Sequence, residues 1–214
     1  MMFHRSLIAV CLVLIALAVP QLSQAGSPPA QLWSSMVISK QSSRGIKAEL
    51  EHQLRSRLER PAFKETYYEL RLSFPIQMGF GVTLFYRQVF YPDNTAWRLA
   101  AAPQLNAPFG LDWLKLRLKF QRHAPHGEQA RSHARFRTTF TLPLSEPCTL
   151  FFQAEPWWQL DAPIIFSRYR LDAGLQRKWP GGWGFEMYYR LQGDKKGTDW
   201  QGTDIFGLKL KAAL

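Results

Sequence analysis

The chain has 214 residues, 46% of them hydrophobic and 14% aromatic, with a net charge of +11. Beyond residue 25 no segment is apolar over the roughly 20 residues that a membrane-crossing helix needs, which excludes a helical membrane protein and spreads the apolar content along strands. A net positive charge does not imply nucleic acid in a chain bound for export, and no phosphate-cradling glycine loop is present.

Residues 1–25 read as a secretory signal peptide. Arg5 supplies the positive start, residues 7–19 are almost unbroken apolar chain, and Ser23 and Ala25 provide small residues three and one positions before a cut after Ala25. Cys11 follows Ala9 and Val10 inside that run, where a lipid-anchor signal would want a small residue directly before it. Cleavage removes one of the 27 basic residues and none of the 16 acids, leaving a mature charge of +10. Cys148 is then alone, without a disulfide partner or a metal-ligand cluster. At about 190 residues the mature chain fits one domain.

Residues 26–43 form an N-terminal segment with one strand-like stretch at 31–40, carrying Trp33, Met36, Val37 and Ile38. From residue 44 to 214 a single device repeats: runs of alternating apolar and charged side chains, closed by turns marked with Pro, Gly or Asn. Ile46, Ala48, Leu50 and Leu54 alternate with Lys47, Glu49, Glu51, Gln53 and Arg55, a period of two rather than 3.6. Further runs follow at 63–74, 79–90, 95–104, 112–121, 132–142, 147–157, 163–178, 183–192 and 203–214. In the clearest, Leu114, Leu116, Leu118 and Phe120 share one face while Lys115, Arg117, Lys119 and Gln121 share the other. Ten strands from residue 44 onward suit an all-β, antiparallel up-and-down transmembrane barrel of about 10–12 strands. Because single-chain bacterial barrels favour even counts, the 31–40 stretch is expected as a plug or edge strand, or else one run hides two strands.

Short connections at 75–78, 143–146 and 179–182 are expected on the periplasmic side, and longer polar ones at 123–131 and 193–201 outside. Aromatic residues gather at both boundaries: Phe109, Trp113, Trp179 and Trp183 at one, and Phe90, Tyr91, Trp157 and Trp158 at the other. With the apolar faces toward lipid, the inner wall carries Arg71, Arg117, Lys119, Arg135, Arg137, Glu155, Arg168, Arg170, Glu186 and Arg190. Bases outnumber acids there, which points either to a narrow anion-favouring pore or to a packed interior of paired charges in a structural or binding protein.

The strand runs resemble those of the DUF2490 family of bacterial outer-membrane proteins of unknown function. The residues carrying the resemblance are Trp33, Arg98-Leu99, Arg117-Leu118 with Arg122, Arg135-Phe136-Arg137 through Leu142-Pro143-Leu144, Glu155, Arg170-Leu171-Asp172-Ala173-Gly174-Leu175 and Tyr188-Tyr189-Arg190-Leu191-Gln192. It implies an outer-membrane location and a barrel fold. Where the family pattern sets acids before Arg98 and near Arg122, this chain has Ala96-Trp97 and Phe120-Gln121, so both arginines are expected without their acidic partners.

The expected setting is the bacterial outer membrane of a Gram-negative cell, as a porin-like monomer. Its expected partners are outer-membrane lipid, lipopolysaccharide and the barrel-assembly machinery. No cofactor, metal or enzymatic site is expected. Two alternatives stand beside this reading. One is a lipid-modifying enzyme using His126 or His133 near Ser132. The other is a soluble periplasmic barrel whose apolar face points inward around an apolar ligand.

Overall fold

The computed structural model describes residues 30–58 and 62–214; the expected signal peptide with Cys11, and the turn residues Arg60 and Pro61, lie outside the described residues. Eleven strands follow one another: β1 (Ala30–Gln41), β2 (Lys47–Arg57), β3 (Ala62–Pro75), β4 (Phe80–Phe90), β5 (Thr95–Asn106), β6 (Leu114–Pro125), β7 (Arg131–Ser145), β8 (Cys148–Gln159), β9 (Ile165–Lys178), β10 (Trp183–Lys196) and β11 (Asp199–Ala213). Each pairs with its sequence neighbour, and β1 pairs with β11 to close the barrel.

The closing pair is parallel, with Ala30 opposite Asp204 and Ser39 opposite Ala213. Every other pair is antiparallel, so the 31–40 stretch is neither a plug nor an edge but a full wall strand, and the count is eleven rather than ten or twelve. An odd count leaves the ends of the described chain at opposite rims. Ala30 lies at what is termed here the upper rim, with the turns that follow β2, β4, β6, β8 and β10. Leu214 lies at the lower rim with the turns that follow β1, β3, β5, β7 and β9.

Loop length does not separate the two rims as expected. Residues 193–196 and 199–202 continue the β10–β11 ladder up to the Lys196–Asp199 pair, leaving a turn of only 197–198, because backbone pairing extends the hairpin through residues whose polarity reads as loop. At the lower rim the β5–β6 connection runs over residues 107–113, longer than that turn.

Cross-strand partners share a face. Leu50 stands opposite Leu70, Leu70 opposite Tyr86, and Leu118 opposite Phe136, all on the outside. Leu70, Leu84, Leu99, Phe120 and Phe206 are 44–49% exposed. Exposed apolar side chains on ten of the eleven strands, with Leu150 and Phe152 half-buried on β8, make an apolar belt larger than water-soluble monomers carry. The charged partners face inward, so the apolar face is outside and the polar face inside, the reverse of a soluble barrel built around an apolar cavity. Outer aromatics collect toward the rims. Trp158, Phe166, Trp200 and Tyr169 form a chain of ring contacts 5.2–5.9 Å apart at the upper rim, and Trp113 stacks on Phe140 at the lower.

Glycines thin the inner wall where a ring must lie flat. A side chain at Gly207 would sit 2.0 Å from Cζ of Tyr188, and one at Gly174 would sit 2.5 Å from the Met187 carbonyl oxygen and 2.7 Å from Cβ of Tyr188. The Tyr188 ring therefore occupies space that two neighbouring strands leave open.

Candidate functional site

The alternation that exposes apolar side chains outside sends the charged ones to a common axis, where three buried carboxylates act as hubs. Glu155 on β8 is 3% exposed and meets four arginines. Its Oε2 lies 2.5 Å from Nε of Arg137 and 3.9 Å from Arg117, and its Oε1 lies 3.5 Å from Arg135 and 3.6 Å from Arg170. Trp157 Nε1 donates a further hydrogen bond of 2.8 Å to Oε1. Glu69 on β3 pairs with Arg71 at 2.6 Å and Arg87 at 2.7 Å. Glu51 on β2 pairs with Arg71 and, at 3.6 Å, with Lys209. Tyr67 donates its hydroxyl to Glu51 at 3.2 Å.

Outside the hubs, Arg190 donates twice to Asp172 at 2.7 Å, Lys211 pairs with Glu186 at 2.6 Å, and Arg168 pairs with Asp194. Taking charges out of water is costly unless each finds a partner. Here each of these acids holds at least one base, and bases remain in excess.

Paired and unpaired cations alike also lie over aromatic faces. The guanidinium of Arg55 lies 3.7 Å from the Trp33 ring, that of Arg87 3.7 Å from Tyr67, and that of Arg135 3.9 Å from Trp157, while the Lys119 ammonium lies 3.4 Å from Phe85. Arg168 and Arg170 also approach the Trp157 ring, at 4.9 and 4.4 Å. A desolvated cation over a ring face is worth about 2 kcal/mol. Trp157 therefore faces the lumen and not the membrane boundary, and Tyr91 likewise lines the interior at the upper rim. Trp157 shares the parity of Glu155, and Tyr67 shares that of Glu69. That parity is the signal in the sequence, whereas boundary position and ring character predict the other face.

A central and an upper cavity lie inside the barrel. The central one, about 130 Å³, is lined by eleven bases, among them Arg71, Arg117, Lys119, Arg135, Arg137, Arg170 and Arg190, and by the acids Glu51 and Glu69. The upper one, about 390 Å³, is lined by seven bases including Arg168 and Arg170, by the acids Glu65 and Asp194, and by His123 and His133. Of the ten residues expected on the inner wall, Glu155 binds four of the central arginines and Glu186 stands apart with Lys211 toward the lower rim.

Ser132 and His133 are successive residues of β7 and point to opposite faces, and among the described residues no hydrogen bond joins them. The Asp161 carboxylate accepts the backbone N–H of Ser132 at 3.1 Å rather than a ring nitrogen of His133, whose ring meets Trp157 edge-on. His126 lies in the exposed β6–β7 turn.

The sequence profile of a family described as "Protein of unknown function (DUF2490)" matches residues 30–203. No curated protein sequence matches the chain. Among solved structures, "KdgM porin" and "KdgM porin in complex with disordered oligogalacturonate" are similar to it, each at 13% identity and a TM-score of 0.48, over 73% of this chain and 80% of theirs.

Proposed function

The chain belongs to the DUF2490 family, whose function is unknown, and from its own geometry we propose that it spans the bacterial outer membrane and offers a narrow, anion-favouring path through its lumen. The apolar belt supports the membrane setting, because only a closed barrel or a helix satisfies every backbone group inside lipid. The excess of bases lining both internal cavities is the observation that carries the anion preference, since cationic walls in a low-dielectric tube concentrate anions. Eleven strands lie near the size at which side chains fill the interior, so the path is narrow and hydrated rather than a wide aqueous channel.

In this reading the mature protein begins after Ala25, is inserted by the barrel-assembly machinery, works as a monomer beside lipopolysaccharide, and carries out no reaction. Reconstitution in a planar bilayer under a potassium chloride gradient tests it. The expected result is a small conductance with a reversal potential of anion-selective sign; a cation-selective sign, or no conductance in any salt, would sink the anion path.

A further inference from the structure

Bases exceed acids in both cavities, but the acids gather them differently. In the central cavity seven of the eleven bases converge on Glu51, Glu69 and Glu155, whereas the upper cavity's own acids, Glu65 and Asp194, each hold one arginine. There Arg55 pairs with Glu65, Arg168 with Asp194, and Arg170 is held by Glu155 and by Gln192. Lys64 on β3, Arg98 on β5 and Arg131 on β7 also line this cavity, and among the described residues none of the three is ion-paired with a carboxylate.

Arg98 is held in place by neutral groups. Its Nε donates to Nδ1 of His123 at 3.0 Å and its Nη2 to the Tyr91 hydroxyl at 3.4 Å. The positions before it, Ala96 and Trp97, offer no acid. A second, independent observation is His133: its Nδ1 is buried, and among the described residues it has no hydrogen-bond partner, although the ring lines the same cavity. Buried polar atoms are rarely left without a partner, and with under 1 Å² of its surface accessible this one takes a ligand group once the ring turns toward the cavity.

We infer that this upper cavity is a binding site for a compact phosphorylated molecule, with Lys64, Arg98, Arg131 and His133 taking its phosphate groups. The inference rests on the anion-favouring reading of the lumen and deepens it by naming where an anion stops and of what class. A volume of about 390 Å³ is in the range of pockets that hold small organic ligands. The donors arrive from three different strands. Convergence from several walls suits the tetrahedral oxygens of a phosphate better than the planar fork of one carboxylate. Arg55, Arg168 and Arg170, already paired, add to the positive field around the bound group.

The test uses the full mature barrel in a non-ionic, phosphate-free detergent, titrated calorimetrically with tripolyphosphate and, at matched ionic strength, with citrate. Saturable tripolyphosphate binding is expected. It should weaken at least tenfold in the Arg98→Gln/Arg131→Gln double variant and stay unchanged in Lys40→Gln, which alters a charge at the lower rim. Heat-modifiable gel migration verifies that each variant still forms the barrel. Absent saturation, equal weakening by Lys40→Gln, or citrate bound as tightly as tripolyphosphate would overturn the assignment. Bilayer current from the same preparation separates this site from the path. Binding without anion-selective current keeps the site and loses the path, and selective current without binding does the reverse.

Discussion

Replacing Glu155 with Gln removes one negative charge from the centre of the lumen while keeping the size and shape of the side chain. Four guanidiniums lie 2.5–3.9 Å from the carboxylate, and the residue is 3% exposed. At an effective dielectric constant near 20, a unit-charge pair at this range is worth about 4 kcal/mol. Summing four such pairs overstates the loss, because water and mobile anions in the adjoining cavity relax around the bared arginines. Breaking a buried ion pair by removing one partner costs about 3–5 kcal/mol, and we expect Glu155→Gln in that range at low salt. The cost should shrink as chloride is raised, since the anion can enter the vacated field. Urea unfolding from lipid vesicles, followed by tryptophan fluorescence, measures the stability. Anion over cation selectivity in bilayers should rise in the same variant, because the constriction loses an acid and keeps its bases. A variant within about 1 kcal/mol of the parent at low salt, with salt-independent stability, would refute the hub role of Glu155.

Three further outcomes follow from the fold. Leu70→Arg puts a charge at mid-strand on the apolar belt and should cost about 2–4 kcal/mol in vesicle-embedded unfolding; a cost no greater than that of a loop substitution would argue against lipid contact there. Gly174→Ala should cost about 1–3 kcal/mol, because the added methyl meets the Met187 carbonyl at 2.5 Å and a backbone atom cannot turn away as a side chain can; an unchanged urea midpoint would show that β9 and β10 shift to accept it. With eleven strands, an epitope tag placed before Ala30 and one placed after Leu214 should be reached from opposite sides of the membrane. In whole cells antibody should bind only the first, and the second only after permeabilisation. Accessibility of both from one side would mean the parallel β1–β11 seam does not form.

Much of this barrel could be read locally. A period of two is a property of successive residues, so the runs around Leu118 and Phe136, and the inward parity of Arg117, Arg135 and Glu155, were legible from the sequence, as were the turns after residues 75 and 178, whereas β7 runs on to Ser145 through the expected turn at 143–146. Arg98 without a preceding acid was legible too, and the structure gives it His123 and Tyr91 in place of a carboxylate. What alternation cannot carry is anything that joins distant strands. The parallel pairing of Ala30 with Asp204 spans most of the described chain, and nothing in either strand's own pattern distinguishes a closing wall strand from a plug. The three guanidiniums around Trp157 come from β7 and β9, a contact that exists only once β7, β8 and β9 are in register. The meeting of Lys209 with Glu51 likewise depends on closure of the wall, since the two side chains come from β11 and β2 and are neighbours only because β1 pairs with both strands. The sequence by itself determined which side chains share a face, because that follows from backbone geometry two residues at a time. Only the tertiary structure decided which of them meet, because barrel closure brings together charges whose separation along the chain carries no local trace.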